Sequence, residues 1–128
     1  MEAKMKAKLL IVDDDPDIAT MLEDRLQASD YGTVIARDGV EAIELIEQET
    51  PHLMLLDLDM PRLTGLEVLK RLQKVRPAED LPVIVMTAHA SIDAAVEAMK
   101  AGAYDFLTKP LDKDHLLIVI AKAIERDS

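Results

Sequence analysis

The stretch HLMLLDLDMPRL, residues 52–63, runs four apolar residues into two acids and then into a proline. The apolar run has no alternating polar positions, which is typical of a strand covered on both faces of a sheet. Asp57 and Asp59 stand where that strand would end. Two acids at the tip of a buried strand cost free energy unless a positive group offsets their charge. The stretch therefore predicts both a buried parallel sheet and a site at its edge.

The size and charge of the chain limit the classes of function. The 128 residues are 49% hydrophobic, which suits one domain that buries roughly two thirds of the surface of its unfolded chain. Fifteen Lys+Arg stand against 25 Asp+Glu, for a net charge of -10 and a pI of about 4.6. This balance lacks the basic footprint of a nucleic-acid binder. We expect a single domain over residues 1–128 that makes no direct contact with nucleic acid.

The sequence carries no sign of a membrane or a secretory pathway. No apolar run approaches the roughly 18 residues of a membrane span, and the N-terminal segment has no signal-peptide pattern. The chain has no cysteine, which excludes disulfides and Cys-based zinc sites and is compatible with a reducing compartment. We expect a cytoplasmic protein that does not bind membranes.

Short apolar runs alternate with longer amphipathic segments along the whole chain. The strand candidates are residues 9–13, 33–36, 53–57, 82–87 and 104–108. Two helical stripes separate them, one formed by Ile18, Met21, Leu22 and Leu26 and the other by Ile92, Ala95, Val96 and Met99. Further helices are predicted over 39–49, 65–75 and 112–126, with N-caps at Asp15, Asp38, Thr64, Ser91 and Asp112. Five βα units of this kind predict an α/β fold, a parallel sheet with right-handed crossovers and helices on both faces.

In such folds ligands bind outside the carboxyl ends of the strands. Polar residues gather after four of the five candidates: Asp13, Asp14 and Asp15; Asp57 with Asp59; Thr87; and Lys109 with Pro110. Oxygen ligands without nearby His or Cys favour a hard cation, and Mg²⁺ commonly takes one or two carboxylates. Acids, a metal, a lysine and a hydroxyl together indicate phosphoryl transfer, with one carboxylate as the nucleophile.

Each of these residues also has a simpler interpretation. Acids at loop starts often cap helices, Thr87 could satisfy backbone at a strand end, Lys109 could be solvated, and Phe106 could only fill the core. His52, His89 and His115 have no metal-ligand spacing, so they are expected at the surface. Capping does not need paired acids after two separate buried strands, and this joint pattern favours the metal and phosphate role.

Four segments resemble, in order and spacing, the receiver domain of two-component response regulators. They are LLIVDDDP (9–16), LMLLDLDMPRLTGLEVL (53–69), VIVMTAH (83–89) and AGAYDFLTKPLD (101–112). The resemblance covers essentially the whole chain and implies the doubly wound CheY-like, or flavodoxin-like, sheet with strand order 2-1-3-4-5. The stretch from Thr87 to Pro110 looks most like the N-terminal receivers of NtrC-like transcriptional activators. Two forms of the protein stay open, a free-standing receiver and the N-terminal domain of a longer regulator.

The resemblance also implies a role for each site residue. Asp57 would accept phosphate from a histidine kinase or phosphotransfer protein. Asp14 would coordinate Mg²⁺, or Mn²⁺ as a substitute, directly, Asp13 mainly through water, and Asp59 through its backbone carbonyl. Lys109 would contact Asp57 or its phosphoryl group, and a cis peptide is expected between Lys109 and Pro110.

The implied output is a conformational switch that has no metabolic substrate and controls a downstream process such as transcription. Thr87 would move towards the phosphate and Phe106 would turn inward. The surface of the fourth helix, fifth strand and fifth helix would serve as the effector or homodimer face. We expect the side chain of Asp59 to point outward, and we expect Asp59 and His89 to tune the phosphate lifetime.

Two rival functions remain. LLDLDMP also resembles the Asp-x-Asp strand of haloacid-dehalogenase-like phosphatases, but that motif normally opens its domain, is followed by a Gly-Thr type turn and needs a longer chain. A pseudo-receiver, an interaction module that is never phosphorylated, usually lacks one of the acids or the lysine, and all are present here.

Overall fold

The computed structural model describes residues 7–75 and 80–125. Within these residues, five strands, β1 to β5, alternate with five helices, α1 to α5. The strands are Lys8–Val12, Gly32–Ala36, Leu53–Asp57, Val83–Thr87 and Asp105–Thr108. The helices are Pro16–Gln27, Gly39–Glu49, Gly65–Val75, Ile92–Lys100 and Lys113–Glu125. Every predicted element forms, with bounds that shift by one residue at several ends.

The strands form one parallel sheet in the order β2-β1-β3-β4-β5. This α/β order confirms the doubly wound sheet that the resemblance implied. Because β1 and β3 are neighbours at the centre, their carboxyl ends bring the acids after Val12 and the acid at Asp57 together. β4 lies on the other side of β3 and ends at Thr87, so Thr87 also lies at this edge.

Two apolar layers cover the sheet, as the continuous apolar strands predict. Alternate strand residues face opposite sides, so Leu9 and Ile11 pack with α1 and α5, whereas Leu10 and Val12 pack with α2, α3 and α4. β3 and β4 are buried at every position. Among the described residues, no helix has both the length and the apolar composition needed to cross a membrane.

The predicted caps position the helices that follow the site loops. The Asp15 side chain accepts from the N–H groups of Asp17 and Ile18, with Pro16 as the first helical residue. Thr64 and Glu67 form a reciprocal capping box at the start of α3. Asp38 and Ser91 cap α2 and α4. Asp112 accepts the Leu116 N–H through its carbonyl, and residue 126, the predicted end of α5, lies outside the described residues.

The stripe predicted on α4 does not face the core. Ile92, Val96 and Met99 are exposed at 84%, 45% and 47%, and the helix buries Ala98 instead. In α1 the buried residues are Ala19, Leu22 and Leu26, while Met21 is exposed. The spacing identified helical surfaces correctly, but the direction of a surface depends on how the helix rotates against the sheet.

Candidate functional site

Three carboxylates meet at the carboxyl edge of the central strands. Asp13 and Asp14 follow β1 and Asp57 ends β3, and each offers an oxygen within 4.8 Å of the others. Asp13 and Asp57 are buried, whereas Asp14 is exposed. The Asp13 Oδ1 atom accepts the Asp15 N–H at 2.9 Å, which fixes the orientation of its carboxylate. The structure therefore brings together the acids that the sequence singled out.

Lys109 places a positive charge between two of these acids. Its Nζ atom lies 3.1 Å from Asp13 Oδ2 and 3.4 Å from Asp57 Oδ1. The loop after β5 is held against β4 because the Lys109 N–H donates to the Thr87 carbonyl at 2.8 Å. Burial lowers the pKa of Lys109, but the hydrogen bond and charge of Asp13 and the charge of Asp57 outweigh burial and raise it. The ammonium group stays charged at neutral pH.

Asp57 stands in an unfavourable place for a carboxylate. Burial raises its pKa, and the neighbouring charges of Asp13 and Asp59 add to that rise. The Asp59 backbone N–H, which donates to Asp57 Oδ1 at 3.0 Å, and the Lys109 charge act in the opposite direction without cancelling it. A further cation beside Asp57 would therefore be favourable.

Asp59 is exposed, as expected, but its side chain also bonds to the end of the neighbouring strand. Its Oδ2 atom accepts the Thr87 hydroxyl at 2.8 Å and the Ala88 N–H at 3.1 Å, so it bridges the ends of β3 and β4. The Thr87 hydroxyl in turn accepts the His89 N–H at 3.0 Å. The sequence predicted the exposure of Asp59 but not this bridge, because residue spacing along one strand does not show which donors the next strand brings alongside.

The remaining predicted residues lie around this centre. His89 is exposed in the loop after β4, and Phe106 is half-buried on β5, where it packs against the core layer shared with α4. The peptide bond between Lys109 and Pro110 is cis. His89 and Phe106 therefore lie outside the acidic cluster itself.

One residue of the site escaped the sequence reasoning. Gly65 begins α3 so close to β3 that a Cβ atom would lie 2.3 Å from the Asp57 carbonyl oxygen and 2.7 Å from the Leu58 Cα. Only glycine allows this approach of helix and strand. The signal in the sequence is the glycine eight residues after Asp57, where the pattern indicates only a helix start.

The donor set fits a hard divalent cation. Its atoms are carboxylate oxygens, and burial already disfavours the charge on Asp57. Lys109 balances part of the negative charge but contacts only one oxygen of each partner. The class of protein that this fold and site define is a doubly wound α/β domain with an acidic pocket at the switch point of its sheet.

The comparisons with known proteins agree with this class. Residues 9–121 match the family model of the response regulator receiver domain. The chain is 41% identical over 122 residues to the transcriptional regulatory protein GlrR of Escherichia coli (strain K12), covering 95% of this chain and 27% of GlrR. A CheY-like receiver domain from Methanospirillum hungatei JF-1 superimposes with a TM-score of 0.88 at 31% identity, covering 97% and 96% of the two chains. NtrX from Brucella abortus has a TM-score of 0.87 at 36% identity, covering 95% of this chain and 28% of NtrX.

The chain belongs to the response regulator receiver domain family. It spans about a quarter of the length of GlrR and of NtrX. The relatives in the NtrC-like group, among them GlrR and NtrX, confirm the closer resemblance drawn from residues 87–110.

Proposed function

We propose that this protein is a phosphorylation-driven signalling switch in which Asp57 accepts a phosphoryl group. The observation that carries the proposal is the position of Asp57, which is buried at the end of β3 between the acids after β1 and the Lys109 ammonium group. A capping or purely structural acid does not need this surrounding. All the acids and the lysine of an active receiver are present, which speaks against a pseudo-receiver.

The chemistry assigned to Asp57 is a displacement at phosphorus. A carboxylate oxygen of Asp57 forms a bond to the phosphorus of a phosphohistidine, the bond from phosphorus to the imidazole nitrogen breaks, and its electron pair stays on the nitrogen. The product is an aspartyl phosphate. Lys109, 3.4 Å from Asp57 Oδ1, is placed to neutralise charge on the phosphoryl oxygens. The domain would catalyse only this transfer and the later hydrolysis, without a metabolic substrate.

We assign Mg²⁺, or Mn²⁺ as a substitute, to the acidic pocket, held by Asp13, Asp14, Asp57 and the Asp59 carbonyl. The metal would supply charge neutralisation for the incoming phosphoryl group. Asp13 already receives Lys109 and the Asp15 N–H, one on each oxygen, while Asp14 is exposed. This difference supports direct coordination by Asp14 and coordination through water by Asp13.

The phosphodonor needs a surface beside Asp57 on which to dock. An apolar groove next to Lys109 is lined by Ile18, Met21 and Arg25 of α1, by Ala88, and by Pro110 and Leu111 after β5. A histidine kinase or phosphotransfer protein bound there would present its histidine at the site. We place this exchange in the cytoplasm, with control of transcription as the output and no direct nucleic-acid contact by this domain.

The output would pass from the site to the surface of α4, β5 and α5. Thr87 is linked to the loop after β5 through the Lys109 N–H, and Phe106, on β5, packs against the apolar layer that includes Ala98 of α4. The exposed apolar stripe on α4 gives this surface the character of an effector or homodimer face. We propose that residues 1–128 act as one such domain.

The proposed function is tested by incubation with Mg²⁺ and acetyl phosphate, followed by intact mass measurement. We expect a base-labile phosphate adduct on the wild type, its loss in Asp57→Asn, and its loss when EDTA removes the metal. Asp38→Asn, which makes the same chemical change at an exposed N-cap of α2, is the matched control and should retain the adduct. A wild type without adduct would indicate a pseudo-receiver, and turnover of many phosphate esters would indicate a phosphatase.

Asp59 and His89 are proposed to set the lifetime of the aspartyl phosphate, because both flank the exposed entrance beside Thr87. We expect Asp59→Asn and His89→Ala each to change the dephosphorylation rate several-fold. The rates are measured by adduct decay after removal of acetyl phosphate. His115→Ala, a histidine on α5, is the control and should decay like the wild type; unchanged rates in both test variants would contradict the assignment.

A further inference from the structure

We propose that the Asp59 carboxylate acts as an internal latch, holding the Thr87 hydroxyl and the Ala88 N–H until a phosphoryl group on Asp57 takes them over. The inference rests on the proposed function of Asp57 and adds to it a positioning residue, Asp59, in the loop after the same strand. Its basis is the pair of hydrogen bonds that Asp59 Oδ2 accepts, at 2.8 Å from Thr87 Oγ1 and 3.1 Å from the Ala88 nitrogen.

The hydrogen bonds of Thr87 leave no proton for a second acceptor. A threonine hydroxyl has one O–H proton, and here it is donated to Asp59. The oxygen of the same hydroxyl accepts the His89 N–H, so both of its functions are in use. Thr87 is 1% exposed, which removes water as an alternative partner. The hydroxyl can therefore donate to a phosphoryl oxygen only after it leaves Asp59.

The position of Asp59 makes phosphorylation itself the event that releases the latch. The Asp59 backbone nitrogen lies 3.0 Å from Asp57 Oδ1, so a new phosphoryl group would be formed next to it. A phosphoryl group carries roughly -1.5 to -2 charge and three strong acceptor oxygens. It competes with Asp59 for the two donors and also repels the Asp59 carboxylate, which is exposed and can turn to solvent.

A latch makes a prediction that a simple charge effect does not. Removing the Asp59 charge would favour any anion at Asp57, whether or not Thr87 has a hydroxyl. Removing a competitor for the hydroxyl favours the anion only when the hydroxyl is there. A double-mutant cycle separates the two because it measures the coupling between Asp59 and Thr87.

The experiment is a titration with beryllofluoride, a phosphoryl mimic, at saturating Mg²⁺, followed by the Ala88 amide resonance. Asp59→Asn keeps the size of the side chain and leaves a weaker, neutral acceptor. In the wild-type background we expect Asp59→Asn to lower the beryllofluoride concentration at the midpoint about tenfold. This is the size of effect expected from one hydrogen bond to a charged group. In the Thr87→Ala background only the charge repulsion and the Ala88 N–H remain, so we expect a smaller change of about threefold. In the Thr87→Ser background, which keeps the hydroxyl, the change of about tenfold should return.

The outcomes separate the latch from the function on which it rests. The latch is overturned if Asp59→Asn lowers the midpoint beryllofluoride concentration equally in the wild-type and Thr87→Ala backgrounds, or in neither, while the site still binds the mimic. A wild type that does not bind beryllofluoride overturns the proposed function and the latch with it. In the free protein, Asp59→Asn should also shift the Ala88 amide proton upfield, since it loses a carboxylate acceptor; an unmoved resonance counts against the latch.

Discussion

At the scale of single residues, the main cost to the fold is the charged form of the buried Asp57 carboxylate. Burial at the end of β3 and the charge of Asp13 raise the pKa of Asp57, and Lys109 only partly compensates. A group whose pKa is raised on folding stabilises the fold fully only below its unfolded pKa, and that stability is lost as pH rises through the folded pKa. At neutral pH the charged Asp57 carboxylate is therefore less stable in the folded domain than in the unfolded chain, and it lowers the free energy of unfolding.

This imbalance predicts that Asp57→Asn stabilises the metal-free protein. We expect its melting temperature to exceed that of the wild type by roughly 5 °C near neutral pH, and the gap to close as pH falls to the ordinary pKa of aspartate. Added Mg²⁺ should raise the melting temperature of the wild type more than that of the variant. The measurement is thermal unfolding between about pH 4 and pH 8.

The same chemical change on an exposed acid is the control. Asp38→Asn replaces one good N-cap of α2 by another and should leave the melting temperature nearly unchanged. A wild type as stable as Asp57→Asn at all pH values would mean that Lys109 already compensates the Asp57 charge completely.

At the scale of elements, the contact between β3 and α3 holds the phosphoacceptor loop. The Gly65 N–H donates to the Leu58 carbonyl at 3.4 Å, and the helix start touches the backbone of Asp57. Rigid backbone lies on both sides of this contact, so it cannot widen by a side-chain rotation. The position of the Asp57 carboxylate therefore depends on a residue that has no side chain.

Gly65→Ala is expected to destabilise the domain at the upper end of the roughly 1–3 kcal/mol typical of overpacking, and to slow adduct formation. Gly39→Ala is the comparison, because its Cβ atom would lie 2.6 Å from Val68 Cγ2 and 2.7 Å from Leu63 Cδ2, so it would meet side chains instead of backbone and should cost less. Urea unfolding gives the stability of both variants, and intact mass gives the rate of phosphorylation. Equal losses in the two variants would show that the backbone contact at Gly65 has no special weight.

At the scale of the whole molecule, the exposed apolar surface of α4 contrasts with the strongly acidic composition of the chain. The chain carries a net charge of -10, yet Ile92, Val96 and Met99 of α4 are exposed side by side on one helix. α4 packs against β5, the edge strand, and Ile118 of α5 is also exposed. Burial of such a surface against a second copy would offset the charge repulsion between two acidic chains.

We therefore predict a dimer through α4, β5 and α5 in the presence of Mg²⁺ and beryllofluoride, and a monomer without them. Light scattering gives the mass in both states. Val96→Asp should keep the activated protein monomeric, while Val40→Asp, at an exposed apolar position on α2, should not. A monomer in both states of the wild type would contradict the homodimer.

The sequence by itself determined the elements and the composition of the site. Apolar runs of strand length, helical spacing and caps such as Asp15 and Thr64 are local properties, since each depends on residues within a few positions of one another. The acids Asp13, Asp14 and Asp57 could be grouped because parallel strands place their carboxyl ends at one edge. The strand order came from the family resemblance, because alternation of strands and helices does not specify which strands are neighbours.

Only the tertiary structure decided which partners these residues have. The outward stripe of α4 follows from the rotation of the helix on the sheet, which its own spacing does not fix. Asp59 turns to Thr87, a residue 28 positions away along the chain, because β3 and β4 are adjacent and in register. Gly65 matters because α3 passes against the backbone of β3. Contacts between residues distant in sequence depend on packing of whole elements, and for this reason they were absent from the local pattern.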